Sequence, residues 1–136
     1  TFKKKEGDKK TPKGVFSLGP LFYRKDKNKE PYTKIKKIVI NKKMGWCDDS
    51  THKKYNKLIK VGKNIKHEKM FRNDDMYDFL IPINYNTYKT KKNKGSAIFI
   101  HLTKNYKKTL GCIALKKKDF LILLKLIDRS TKIKIT

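Results

Sequence analysis

Two residues in the C-terminal half of the chain, His101 and Cys112, have the side chains that nucleophilic acyl transfer requires. His101 lies near the end of one apolar run, and Cys112 follows Gly111 at the start of another. A free cysteine has a pKa of about 8.5, so a base is needed to form the thiolate near neutral pH. An imidazole supplies such a base and later protonates a leaving amine. Gly111 would let the backbone approach a substrate closely and direct N–H groups toward an oxyanion. On spacing alone, the alternative of a packed cysteine and a structural histidine stays open.

The segments around these residues predict a mainly β fold. Residues 96–102 are apolar almost without alternation, which predicts a strand buried on both faces. Residues 111–115 predict the next strand, so that base and nucleophile would lie on neighbouring strands. Apolar positions 120, 123, 124 and 127 predict one helix over residues 119–127. The remaining segments predict strands over 13–23, 35–41, 77–85 and 131–136. Gly19-Pro20 marks a break in the first of these, and Pro82 marks an edge or a bulge in the third. Residues 66–73 predict a short helix, and residues 44–56 an irregular loop.

The segment 44–56 concentrates residue types that its neighbours lack. It contains the only tryptophan, Trp46, followed by Cys47 and the carboxylate pair Asp48-Asp49. Loops rich in aromatic and polar residues often carry function. Trp46 is either a platform for substrate or a core side chain, and the two aspartates are either acids of a site or turn residues. We expect Cys47 to be a packed thiol, because a disulfide with the proposed nucleophile would block it.

The order of several motifs resembles the catalytic domain of L,D-transpeptidases, the YkuD-like family. Residues 6–16 (Glu-Gly-Asp-Lys-Lys-Thr-Pro-Lys-Gly-Val-Phe) resemble the opening of that domain, and residues 45–49 (Gly-Trp-Cys-Asp-Asp) resemble a stretch of one branch. Further matches to that branch occur at residues 55–56, 67–68, 77–78, 85–86, 95–101 and 109–115. The resemblance implies a mainly β, sandwich-like catalytic domain with one helix in its C-terminal half and short helical segments.

The resemblance also implies roles for individual residues. Cys112 would be the nucleophile, His101 its base, and the backbone N–H groups of Gly111 and Cys112 the oxyanion hole. In this family a carbonyl or hydroxyl group just after the base often orients it, which here leaves the backbone carbonyl of Leu102. The implied substrate-binding residues are Thr109, Trp46, Tyr85, Asn86, Ser96 and His67.

Two positions depart from the commoner family motif. Leu110 stands where that motif has histidine before Gly-Cys, and Ala114 stands where arginine or asparagine is common. Both changes fit the branch that carries the Trp-Cys-Asp-Asp stretch. They remove any substrate contact that the missing side chains would make, so a catalytically inactive relative that binds the cell wall is one alternative function.

The implied reaction is acyl transfer through a thioester, with peptidoglycan stem peptides as partners and without a metal or organic cofactor. We expect one catalytic domain over residues 1–136, exported to the periplasm or the cell wall. The opening motif begins five residues after Thr1, and no apolar signal segment precedes it. We therefore expect an N-terminal strand and a signal peptide upstream of this sequence.

The composition is dominated by positive charge. The 136 residues include 37 Lys and Arg against 12 Asp and Glu, which gives a formal net charge of +25. Such a field attracts polyanions, so a basic nucleic-acid-binding protein is the second alternative. However, the lysines are spread along the chain and only three residues are the arginines that nucleic-acid readers favour. We expect no specific nucleic acid, and interpret the charge as a surface feature that favours an anionic wall or membrane surface.

Overall fold

The computed structural model describes residues 3, 5–62, 64–104 and 111–136. Within these ranges the chain forms short strands and a helix near the C-terminus. In chain order these are β1 (Gly14–Ser17), β2 (Leu21–Tyr23), β3 (Lys37–Val39), β4 (Met44–Cys47), β5 (Leu58–Lys60), β6 (His67–Lys69), β7 (Phe79–Pro82), β8 (Phe99–Leu102), β9 (Ile113–Leu115), α1 (Lys117–Leu126) and β10 (Lys132–Ile135).

A five-stranded sheet is the centre of the fold. Its strand order is β3-β2-β7-β8-β9. The two outer pairs, β2 with β3 and β8 with β9, are parallel, whereas β7 is antiparallel to both of its neighbours. A three-stranded antiparallel sheet, β5-β4-β6, and a two-stranded antiparallel pair, β1-β10, complete the described strands.

The two faces of the five-stranded sheet bury separate apolar clusters, because successive side chains of a strand point to opposite faces. One face packs against α1, whose buried residues Phe120 and Leu124 are one turn apart. The other face packs against the three-stranded sheet through Trp46 and Met70. The strand residues of the first face are Leu21, Tyr23, Phe79, Ile81, Ile100 and Leu102, and those of the second are Phe22, Leu80 and Phe99.

The mainly β, sandwich-like fold that the sequence predicts is confirmed. The predicted strand over 96–102 corresponds to β8, in which all four residues are buried. The predicted helix over 119–127 corresponds to α1. The break at Gly19-Pro20 does separate two strands, β1 and β2.

Three local predictions are wrong. Residues 66–73 do not form a helix, because His67–Lys69 pair with β4 as a strand. The segment 44–56 is not an irregular loop throughout, since its first four residues form β4, between β5 and β6. Pro82 marks neither an edge strand nor a bulge: β7 lies between β2 and β8, and its register with β8 runs without interruption to Pro82, its last residue. In each case pairing with distant strands overrides the local pattern.

Candidate active site

His101 lies on the face of the five-stranded sheet that packs against the three-stranded sheet. It pairs with Leu80 of that face, and its residue surface is 5 % exposed. The Nδ1 atom is 2.9 Å from the carbonyl oxygen of Leu102. Because a carbonyl oxygen only accepts hydrogen bonds, Nδ1 carries the hydrogen and Nε2 is left with its lone pair. This is the contact predicted for the Leu102 carbonyl, and it presents the neutral ring as a base.

The pKa of His101 is lowered, first by burial, which disfavours the imidazolium. The hydrogen bond to Leu102 and the charges of Glu68 and Asp74 act in the opposite direction, whereas Arg72 lowers the pKa further. At neutral pH the imidazole is therefore uncharged, as a general base must be before it accepts a proton.

Cys112 immediately precedes β9 and lies on the same face as His101. The parallel register pairs His101 with Ala114, and Cys112 is two residues before Ala114, so both side chains point to one face. The Cys112 thiol donates to the carbonyl oxygen of Ala97 at 3.3 Å. His101 on β8 and Cys112 just before β9 therefore lie on the same face of two neighbouring strands, while their roles as base and nucleophile stay predictions.

Burial raises the pKa of the Cys112 thiol to about 11. The backbone N–H of Phe99 and the charge of Lys3 lower it, and the charge of Glu68 raises it. The thiol is therefore protonated at neutral pH, and its conversion to the thiolate depends on a base. This is the chemical situation in which a neighbouring imidazole activates a cysteine.

Gly111 occupies a position that only glycine fits. Its φ is +99°, and a Cβ atom built there would lie 2.7 Å from the carbonyl oxygen of Lys10. The N-terminal segment therefore packs directly against the backbone before Cys112. An oxyanion hole formed by the N–H groups of Gly111 and Cys112 stays a prediction, and Thr109 and Leu110 lie outside the described residues.

Trp46 is a core residue rather than an open platform. It is 8 % exposed and its ring meets that of Phe99 edge-on, with centroids 5.3 Å apart. Its Nε1–H donates to Oδ1 of Asn56 at 2.8 Å. Cys47, next to it, is fully buried and forms no disulfide with Cys112, as expected.

Asn56 connects the three-stranded sheet to the residues before β8, a role that sequence reasoning missed. Its Oδ1 accepts hydrogen bonds from Trp46 and, at 3.1 Å, from the backbone N–H of Ala97. The carbonyl oxygen of Ala97 in turn accepts the hydrogen bond of the Cys112 thiol. Its Nδ2 donates at 2.8 Å to the carbonyl oxygens of Tyr85 and Asn86. Asn56 is 3 % exposed, so these contacts fix one buried junction close to Cys112.

Three of the predicted substrate-binding residues shape the segment that leads into β8. The hydroxyl of Tyr85 donates to the carbonyl oxygen of Lys94 at 2.6 Å. The Asn86 amide donates to the carbonyl oxygen of Gly95 at 2.9 Å. The Ser96 hydroxyl donates to Oε1 of Glu6 at 2.6 Å, which gives the glutamate of the N-terminal Glu-Gly-Asp motif a structural role. These bonds hold the chain on which Ala97 lies.

His67 is a predicted site residue that the structure does not place on the face of Cys112. It pairs with Cys47 in the three-stranded sheet, on the face opposite to Trp46. Its Nδ1 lies 2.8 Å from the carbonyl oxygen of Ile65. A Cβ atom on Gly45 would lie 2.7 Å from the His67 ring, so the two residues are packed together on that outer face.

The next residue, Glu68, does face the site. It pairs with Trp46, whose side chain points toward the five-stranded sheet. Its Oε1 accepts from the Tyr77 hydroxyl at 2.9 Å, and the Tyr77 ring lies 5.6 Å from that of His101. Glu68 also forms an ion pair with Arg72 at 3.8 Å.

Comparison with known protein families matches residues 3–135 to the YkuD family, the L,D-transpeptidase catalytic domain. The chain belongs to this family. Comparisons with curated proteins and with solved structures gave no match. L,D-transpeptidases act on peptidoglycan peptides, so the general class of partner follows from membership. The branch suggested by the Trp-Cys-Asp-Asp stretch stays a prediction.

Two further observations concern the described part of this L,D-transpeptidase domain. None of its helices has the length and apolarity to cross a membrane. No three His, Cys, Asp or Glu side chains among the described residues are grouped as metal ligands would be.

Proposed function

We propose that this chain is a peptidoglycan L,D-transpeptidase with Cys112 as nucleophile and His101 as general base and acid. The observation that carries the proposal is the pairing of β8 with β9. It brings a neutral imidazole, fixed by the Leu102 carbonyl, and a protonated thiol onto one face of a rigid sheet. Family membership supplies the reaction class.

The proposed reaction has two steps. In the first, Nε2 of His101 takes the thiol proton, and the Cys112 sulfur attacks the carbonyl carbon of an L,D-peptide bond in a stem peptide. The C–N bond breaks, the proton on His101 passes to the leaving amine, and a free D-amino acid departs while a thioester remains. In the second step an acceptor amine loses its proton to His101 and attacks the carbonyl carbon, the C–S bond breaks, and the proton on His101 passes to the departing Cys112 sulfur.

The acceptor decides the product. The side-chain amine of a second stem gives a cross-link, a free D-amino acid gives exchange, and a lysine of a protein gives an anchor. Water in the same position would make the site an L,D-carboxypeptidase. We propose that the domain acts in the periplasm or at the cell wall, where peptidoglycan lies, and that its net charge of +25 favours anionic wall or membrane surfaces.

The test uses purified disaccharide-tetrapeptide as donor and a D-amino acid as acceptor, with products separated and weighed. The wild type should release the terminal D-amino acid of the donor and form the exchanged product. Cys112→Ala should form neither, whereas the matched control Cys47→Ala should retain activity, because Cys47 is buried away from the site. Full activity of Cys112→Ala would refute the proposal.

A further inference from the structure

The loop of residues 72–78 packs against the end of β8 at two points. The backbone N–H of Leu102 donates to the carbonyl oxygen of Met76 at 2.9 Å. The ring of the next residue, Tyr77, meets the His101 imidazole with centroids 5.6 Å apart and planes inclined by 62°. The same loop therefore holds both the imidazole and the residue whose carbonyl fixes its Nδ1.

The Tyr77 side chain is itself fixed at both ends. It is 5 % exposed, and its ring meets Phe99 edge-on at 5.8 Å. Its hydroxyl donates to Oε1 of Glu68 at 2.9 Å, and the Arg72 guanidinium lies 5.0 Å from its ring centroid. A hydrogen bond to a carboxylate is stronger than one between neutral groups, so the orientation of the ring is well determined.

The loop is also tied to the core on its far side. Arg24, which is 5 % exposed, donates through Nη1 to the carbonyl oxygen of Arg72 at 2.7 Å. Lys27 forms ion pairs with Asp75 at 2.7 Å and with Asp78 at 2.9 Å. Because the loop is held in this way, the Tyr77 side chain that it presents to His101 has a fixed position.

We propose that Tyr77 and Glu68 are positioning residues for the Cys112–His101 pair. Tyr77 holds the imidazole ring in place. Glu68 holds Tyr77, and its negative charge acts on both His101 and Cys112. The effect on turnover rests on the proposed acyl transfer. The effect on the pair itself does not, because it can be measured on the thiol and the imidazole alone.

The charged and titratable groups around His101 come from three elements. They are Glu68 of β6, Arg72, Asp74 and Tyr77 of the 72–78 loop, and Cys112 beside β9. For Cys112 the groups are Glu68, Tyr77, His101 and Lys3 of the N-terminal segment.

The charge of Glu68 raises the pKa of both members of the pair. A rate that needs a neutral imidazole and a protonated thiol is bell-shaped, with an acid limb set by the pKa of the imidazole and an alkaline limb set by the pKa of the thiol. Replacing Glu68 with glutamine keeps an acceptor for the Tyr77 hydroxyl but removes the charge. Both limbs should then move to lower pH, a result that loss of fold stability does not produce.

The chain contains a matched arrangement remote from the site. The Tyr23 hydroxyl donates to Oε1 of Glu30 at 3.1 Å, and Lys37 pairs with Glu30 at 3.3 Å. Tyr23 is as buried as Tyr77 but packs in the cluster beside α1. Tyr23→Phe and Glu30→Gln therefore control for the loss of a tyrosine–glutamate bond and of one negative charge.

The experiment compares Glu68→Gln, Tyr77→Phe and the two controls in the full chain. The first measurement is the rate of Cys112 alkylation by iodoacetamide against pH, with the alkylated peptide identified by mass. The second is the titration of the His101 imidazole by NMR. The third is the turnover of disaccharide-tetrapeptide against pH. We expect Glu68→Gln to speed alkylation at pH 8 and to lower the His101 midpoint. We expect Tyr77→Phe to reduce the maximal turnover about tenfold without moving the limbs.

The result for each variant can overturn its part of the proposal. If Glu68→Gln changes alkylation and the His101 midpoint no more than Glu30→Gln does, Glu68 does not set the charge of the pair. If Tyr77→Phe turns over within about twofold of Tyr23→Phe, Tyr77 does not position His101. If the alkylation and NMR shifts occur but no protein, the wild type included, turns over the muropeptide, the proposed function fails and the inference about Glu68 stands.

Discussion

His101 donates its Nδ1 hydrogen to the carbonyl oxygen of Leu102, the next residue of the same strand, across 2.9 Å. This bond fixes the tautomer with Nε2 unprotonated. Because the chain has only three histidines, their imidazole nitrogens can be assigned by long-range ¹H–¹⁵N NMR. At pH 8 we expect the His101 Nδ1 shift to be that of a protonated nitrogen and its Nε2 shift that of an unprotonated one. The opposite pattern would leave His101 without a free Nε2 to accept a proton.

Asn56→Ala should be strongly destabilising. The change leaves Trp46 Nε1 and the Ala97 N–H without their buried acceptor, and the carbonyl oxygens of Tyr85 and Asn86 without their donor. We expect a loss of about 3 kcal/mol in the free energy of unfolding, measured by urea titration with circular dichroism.

The control for that change is Asn93→Ala. Both asparagines have positive φ, 59° at Asn56 and 61° at Asn93, so alanine meets the same backbone cost at each. Asn93 is exposed, and only that backbone cost of about 1 kcal/mol should remain. Equal losses in the two variants would mean that the Asn56 side-chain bonds add little.

Gly111→Ala should slow acylation of Cys112 at least about tenfold, because the backbone before the nucleophile must move away from Lys10. The added Cβ would lie 2.7 Å from the Lys10 carbonyl oxygen, at a φ of +99°. Gly7→Ala is the matched control, since Gly7 has a φ of +75° and nothing within 4 Å of the added atom. The rate of thioester formation should stay near that of the wild type in Gly7→Ala; a similar loss in both variants would contradict a specific role for the space at Gly111.

Asp48 and its neighbour Asp49 should respond to pH in opposite ways. Among the described residues, Asp48 Oδ1 is the buried side-chain atom without a hydrogen-bond partner, and burial raises the pKa of this carboxyl. The folded state then binds its proton more tightly than the unfolded state, whose carboxyl has a pKa of about 3.9. Stability is therefore lost as pH rises through the interval between the two pKa values. Asp48→Asn should be more stable than the wild type at pH 7, and the gain should vanish below the unfolded pKa.

Asp49 has a lowered pKa, because its carboxylate accepts from the hydroxyl and the backbone N–H of Thr51. Its contribution is present at neutral pH and is lost as pH falls through the folded pKa. Asp49→Asn should thus lower the urea midpoint at pH 7 and have little effect at low pH. Finding the same sign for both variants at pH 7 would contradict this assignment.

The sequence predicts best what depends on neighbours along the chain. The apolar run before His101, the helical spacing from Phe120 to Ile127 and the Gly-Cys pair are all local patterns, and β8, α1 and the start of β9 follow them. His101 and Cys112 stand out by residue type within these local patterns, but spacing alone leaves a structural histidine and a packed cysteine open, and their proposed roles come from the resemblance to the L,D-transpeptidase family.

What the sequence could not predict depends on pairing between distant segments. The i,i+4 spacing of Glu68 and Arg72 predicts a helix, but pairing with Trp46 makes the segment a strand and turns Glu68 toward the site. Likewise, Ser96 bonds to Glu6, which lies 90 residues earlier, so neither residue carries a local sign of the contact. The side chain of Asn56 satisfies backbone groups of three separate residues, and no spacing pattern encodes such a junction.

The most direct test of the account is the mass of the protein itself during turnover. Wild type and Cys47→Ala, mixed briefly with disaccharide-tetrapeptide and quenched in acid, should each gain the mass of the donor less its terminal D-amino acid. Peptide mapping should locate that group on Cys112, and Cys112→Ala should gain nothing. An adduct on Cys112→Ala, or a wild type that releases the D-amino acid without ever carrying the group, would contradict the thioester on Cys112.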